Sequence, residues 1–243
     1  MPEISEKDLA AAVKDGKLAP VYLLYGEEPY LKHTYSTRII NSAVTDFADF
    51  NLHRFDTNVN IDDLVAAVDA MPMMSERTCV IVRDCNFGNL SDKEAESLCT
   101  LINEPNDSCV LVFLYENTEL PNKSAKSKQI VSALKQKAHC VNFAKRTERE
   151  LVDAAIRRAA RLKINFQPST ARYLISRCGD DLENLLTEVD KLCDYVGREG
   201  IITQKEIDAV ADPVLSAEVF RMTDAVAQGD YNRAAAILGD LLK

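Results

Sequence analysis

The residues best placed to do chemistry lie on the first strand–helix turn, Gly26-Glu-Glu-Pro-Tyr-Leu31-Lys32-His33. A phosphate loop reads GxxxxGK[ST]: its glycines let backbone N–H groups surround the phosphates, the lysine neutralises them and the hydroxyl holds the metal. Gly26 and Lys32 keep that register. Leu31 replaces the second glycine, and its side chain would occupy the approach of a nucleotide; His33 replaces the hydroxyl. Glu27 and Glu28 would set two negative charges beside a triphosphate. The turn reads as a degenerate nucleotide loop or, more simply, as an ordinary strand–helix connection. A second position agrees. In Val80-Ile-Val-Arg83-Asp84-Cys85, where an ATPase carries an Asp for the metal shell and a Glu for the attacking water, Asp84 is present but Cys85 stands for the Glu. Two independent defects predict no ATP hydrolysis and no bound cofactor.

Other catalytic patterns fail. GxSxG and HExxH are absent. His33, His53 and His139 fall on different elements, so nothing places a base beside a nucleophile. Ser176-Arg177-Cys178 looks like an arginine-finger tripeptide, but it lies in a helical region and is read as coincidence. The seven cysteines form no CxxC pair, so neither a disulfide framework nor a zinc site is expected, and the expected compartment is a reducing cytoplasm.

Two features remain. In Ala70-Met71-Pro72-Met73-Met74-Ser75 a proline breaks a helix, and two methionines follow where a turn should be polar. On composition both would fold back onto the core, as most apolar residues at helix ends do. The alternative is an adaptable apolar plug for a partner's pocket. The other feature is Leu120–Thr147, which carries Lys123, Lys126, Lys128, Lys135, Lys137, Lys145 and Arg146 with no Asp or Glu, a window of +7 inside a chain of net charge −9. It is either a solvated helix face or a surface turned to DNA, and spacing does not separate the two.

The elements that must position these residues follow from periodicity. Val21–Tyr25, Asn51–Phe55, Thr78–Val82, Cys109–Tyr115 and His139–Phe143 read as strands, and helices are expected over Tyr30–Val44, Ile61–Met71, Ser91–Leu101 and Lys126–Lys137. Short buried strands alternating with helices predict a three-layer parallel α/β sheet. After Thr147 no strand is expected; Glu148–Lys163, Pro168–Cys178, Asp181–Val196 and Gln204–Val210 form an all-helical domain. Asp212-Pro213 marks a boundary, with two more helices over about 214–227 and 231–242. The expected domains are therefore 1–146, 147–212 and 213–243. With 243 residues, 47% of them hydrophobic and 28% charged, the chain is of ordinary globular composition. Its longest apolar run, Cys109–Tyr115, is far below the ~18 residues of a membrane-spanning helix, and Met1–Asp8 shows no signal-peptide pattern.

Three stretches carry a resemblance to a known family: Pro20-Val-Tyr-Leu-Leu-Tyr-Gly-Glu-Glu-Pro-Tyr-Leu31, Ala70-Met-Pro-Met-Met-Ser-Glu-Arg77 leading into Val80–Asp84, and Gly179–Lys191. The chain resembles the delta subunit of the bacterial DNA polymerase III clamp loader. The resemblance implies an AAA+-like α/β module over 1–146, a helical lid over 147–212 and, over 213–243, the beginning of a helical collar within which the chain stops. It implies a subunit that opens the ring-shaped sliding clamp by inserting two adjacent apolar residues into the clamp's pocket. Those positions fall on Met73 and Met74, with Met71 and Pro72 leading in, which reverses the preference for a core role. The family often has Leu-Phe or Phe-Phe there, so Met-Met lacks the aromatic anchor that usually dominates such contacts. The implied partners are the beta clamp, delta prime, the gamma/tau ATPases and primer–template DNA within the assembly, with no membrane and a monomer in isolation. The subunit would be non-catalytic within a nucleotidyltransferase holoenzyme. The competing readings are a divergent ATPase using Lys32 and Asp84, and a DNA-binding AAA+-like module of another replication or repair assembly using the Lys123–Arg146 stretch.

Overall fold

The computed structural model describes residues 3–212 and, beyond them, only isolated positions between 222 and 239. The helices expected over 214–227 and 231–242, and with them the start of a collar, fall mostly outside the described residues. The chain forms two compact units that meet at Lys145 and Arg146.

The first unit is built on five parallel strands: β1 (Val21–Tyr25), β2 (Leu52–Phe55), β3 (Thr78–Arg83), β4 (Cys109–Leu114) and β5 (His139–Asn142). Their order is β2-β3-β4-β1-β5. Composition explains the order. β4 is apolar at every position and fully buried, as a strand covered on both faces must be, whereas β2 carries His53 and Arg54 and lies at an edge.

Six helices flank the sheet: α1 (Glu6–Lys14), α2 (Pro29–Ala43), α3 (Ala48–Asn51), α4 (Ile61–Asp69), α5 (Asp92–Asn103) and α6 (Ala125–Lys137). Strand residues alternate between two cores. Val21, Leu23, Val80, Val82, Leu111 and Phe113 join Leu64, Leu98, Ile130 and Leu134 of α4, α5 and α6. The alternate positions, among them Leu24, Ile81 and Val112, turn to the opposite face, where α2 packs on β1, β3 and β4 and α1 packs on α2. There Tyr35 stacks on Phe143 with ring centroids 5.4 Å apart.

The expected caps form. Asn60 accepts from the amides of Asp62 and Asp63 at the start of α4, and Ser91 makes a capping box with Glu94. Three elements differ from expectation. α1 and α3 are additional, and α4 ends at Asp69, because the chain turns extended at Ala70 (ψ 133°) ahead of the Met71–Pro72 bond.

The second unit contains α7 (Glu148–Ala160), α8 (Pro168–Cys178), α9 (Leu182–Val196) and α10 (Gln204–Val210). Thr147 and Glu150 close a capping box on α7. The expectation of no strand after Thr147 needs one correction: β6 (Asn165–Phe166) pairs in parallel with β7 (Ile201–Ile202). Two-residue strands are too short to show a period of two. Among the described residues no helix is long and apolar enough to cross a membrane.

All seven cysteines are free and buried. Burial raises every thiol, to about 12 for Cys79, Cys85 and Cys178 and about 11 for Cys140. The neutral thiol is thus favoured by folding. That stabilisation is whole below the ordinary thiol range and is lost as pH rises through it toward 11–12. The native protein should resist iodoacetamide at pH 8 and react at all seven positions in denaturant, as read by intact mass; ready native labelling would contradict this burial.

Candidate functional site

The turn after β1 is folded as a tight connection. Gly26 has φ 118°, and a Cβ there would lie 2.4 Å from the carbonyl oxygen of Phe143, so only glycine permits the approach to the end of β5. The Glu28 amide donates to the same carbonyl at 2.9 Å, and α2 begins at Pro29. A cleft of about 450 Å³ opens beside the turn, lined by Gly26, Glu27, Lys32, Glu116 and Glu119 among others.

Lys32 is buried, and its Nζ donates to the carbonyls of Gly26 (2.8 Å) and Glu116 (3.0 Å). Burial draws its ammonium below the usual lysine range, against the opposing pull of Asp84, Glu116 and Glu28. Leu31 is also buried and does not line the cleft. The expected obstruction by Leu31 is therefore corrected. Lys32 instead spans two carbonyls, and the cleft presents three carboxylates against one ammonium. His33 lies outside, 3.6 Å from Glu116.

Asp84 directly follows β3 in the left-handed region (φ 48°) and is buried. Its carboxylate accepts from the Asn117 amide at 3.1 Å and side chain at 3.0 Å, and from the Thr118 amide at 3.1 Å and hydroxyl at 3.0 Å. It fastens the chain leaving β4. Arg177 is likewise a clip: it donates to Asp208 at 3.0 Å and to the carbonyl of Ala211 at 3.2 Å.

The methionines do not fold back. Met71 is 92% exposed, Met73 49% and Met74 76%, with Pro72 between them half-buried. Their backbone, by contrast, is held firmly. The Met73 amide donates to Asn51 Oδ1 at 2.7 Å, and Asn51 Nδ2 donates to the Met73 carbonyl at 2.9 Å. The same nitrogen reaches the carbonyls of Asp46 and Phe47, both at 3.2 Å. Asn51 is fully buried, while Phe47 and Phe50 on this turn are 50% and 57% exposed. Phe47 (φ 52°) and Met74 (φ 51°) are both left-handed, a costly backbone for bulky residues. Sequence reasoning assigned Asn51 to a strand and passed over both phenylalanines. The available signal was two aromatics in a short polar connection.

The lysines do not form one row. At about 100° per residue, Lys126 and Lys137 flank one side of the buried stripe Ser127, Ile130, Val131 and Leu134, and Lys128 and Lys135 flank the other. Lys126 is engaged with the Leu90 carbonyl at 2.8 Å and with Asp92 at 2.9 Å. Lys123, Lys128, Lys135 and Lys137 are exposed.

Two substitutions separate the buried Asp84 cluster from the exposed methionine segment. Asp84→Ala should cost about 2–4 kcal/mol in urea unfolding, because it orphans the donors of Asn117 and Thr118. Met74→Gly should stay within about 1 kcal/mol of the parent, since relief of the left-handed strain offsets the added chain entropy.

A family model described as DNA polymerase III, delta subunit, matches residues 22–144, just over half of the chain. DNA polymerase III subunit delta of Bacillus subtilis (strain 168) is 27% identical over 97% of this chain and 69% of its own length. The probable DNA polymerase III subunit delta of Aquifex aeolicus (strain VF5) is 24% identical over 91% of this chain and 63% of its own length. The solved structure of the Bacillus subtilis DNA clamp loader delta protein superposes with a TM-score of 0.73 at 26% identity, covering 97% of this chain and 71% of that one. The chain thus spans about two thirds of the curated relatives' lengths. The first unit has the parallel α/β sheet with flanking helices that the sequence led us to expect, and the chain belongs to the DNA polymerase III delta subunit family.

Proposed function

We propose that this chain binds the sliding clamp through Met71, Pro72, Met73 and Met74 and opens the ring for loading on primed DNA, without hydrolysing ATP itself. The observation that carries the reading is the ledge: three exposed methionines on a backbone clamped by a buried amide, in a member of the delta family. Exposed methionines adapt to an apolar pocket at little conformational cost. Clamp opening is then a population shift. The subunit favours the open ring only by the difference between its affinities for the open and the closed edge.

The acidic cleft and the engaged Lys32 support a subunit that leaves ATP to others. Delta prime and the gamma/tau ATPases would expose or hide the ledge, with primer–template DNA inside the assembly and the cytoplasm as the compartment. A DNA-facing role for Lys128, Lys135 and Lys137 draws no support from their placement on two flanks of α6; Lys123 precedes that helix, and Lys126 is already engaged.

Calorimetric titration of the chain into the sliding clamp of the same organism tests the reading. Micromolar or tighter binding is expected. Met73→Ala/Met74→Ala should weaken it by at least about thirtyfold, given ~1.5–3 kcal/mol per buried methionine. No binding by the parent chain would refute the reading. ATP titrated into the chain should show no saturable heat up to millimolar concentration; tight binding would favour the divergent ATPase.

A further inference from the structure

We propose that Asn51 joins two turns into one docking surface, so that Phe47 and Phe50 enter the clamp interface beside Met73 and Met74 and supply the aromatic anchor missing from the Met-Met pair. The inference rests on the clamp-binding reading above and extends the surface to a segment distant in sequence.

The geometry of one side chain carries it. Asn51 Nδ2 donates to the carbonyls of Phe47 and Met73, and Oδ1 accepts from the Met73 amide. Two carbonyls that share one donor are immediate neighbours, so the α3 turn and the methionine turn lie side by side at the edge strand β2. Asn51 is fully buried and its hydrogen bonds are partly so, yet the residues they carry face out: Phe47, Phe50, Met73 and Met74 are each about half exposed or more. A left-handed residue stands on each side of the joint, Phe47 and Met74. Such conformations persist where surrounding structure over-determines them, and they concentrate at binding surfaces. Large apolar side chains held rigidly outward around one buried polar latch suit an apolar pocket, the occupant already proposed for Met73 and Met74. Phenylalanine adds the rigid contact area that two flexible methionines lack.

The test uses the whole chain and the sliding clamp at a temperature well below the unfolding midpoint. Phe50→Ser should leave the midpoint unchanged and weaken clamp binding about fivefold to tenfold. Asn51→Ala should lower the midpoint, speed hydrogen exchange at the Met73 amide and weaken binding about tenfold among folded molecules. A merely stabilising Asn51 would move the midpoint and leave affinity untouched. If Phe50→Ser and Phe47→Ser bind like the parent while Met73→Ala/Met74→Ala loses binding, the composite surface is overturned and the methionine plug stands. If the methionine variant also binds like the parent, both readings fall. Should Asn51→Ala not fold, the phenylalanine variants decide the matter alone.

Discussion

At the carboxyl ends of the central strands, one buried carboxylate and one buried ammonium hold three chain exits in place. Asp84, at the end of β3, captures the segment that leaves β4 through Asn117 and Thr118. Lys32, one turn into α2, reaches back to the carbonyl of Gly26 and across to that of Glu116. A parallel sheet has no hairpins to fasten its neighbouring strands, so its ends need such ties. The cleft beside them, the course of the chain into α6 and the start of α2 all depend on this arrangement.

The same two side chains are the ones that a nucleotide site would need free. A lysine serving γ-phosphate and an aspartate serving a metal must face an open, electropositive pocket. Here each is consumed by backbone and side-chain partners of the fold, and the adjoining cleft is rimmed by Glu27, Glu116 and Glu119. On the proposed function, side chains that could serve a motor serve here as scaffold. The active surface then lies elsewhere, on the turns around β2 and the entrance to β3.

Much of the framework was legible in the sequence because its signals are local. The continuous apolar runs of β3 and β4, Asn60 before α4, and the Ser91–Glu94 and Thr147–Glu150 pairs each announce an element by themselves. The methionine ledge was visible as an anomaly of composition, but its outward direction was not. Composition favoured burial, and only the resemblance argued otherwise. What escaped were features made by contacts distant in sequence. The engagement of Lys32 depends on the Glu116 carbonyl, and the latch between Asn51 and Met73 spans two loops that no periodicity connects. The β6–β7 pair was missed for the opposite reason, since it is too short to have a pattern.

The left-handed turn at Met74 and the amide grip on Met73 separate where the ledge stands from what it is made of. Among the described residues, the hydrogen bonds from Asn51 that hold the ledge are made to the backbone of Met73 and not to the side chains it displays. The tips can therefore be exchanged over evolutionary time while the holder stays the same. On the proposed function, other apolar tips could stand at Met73 and Met74 without rebuilding the turn. Drift at the contact face would then tune how strongly the partner is gripped and leave the place of contact unchanged.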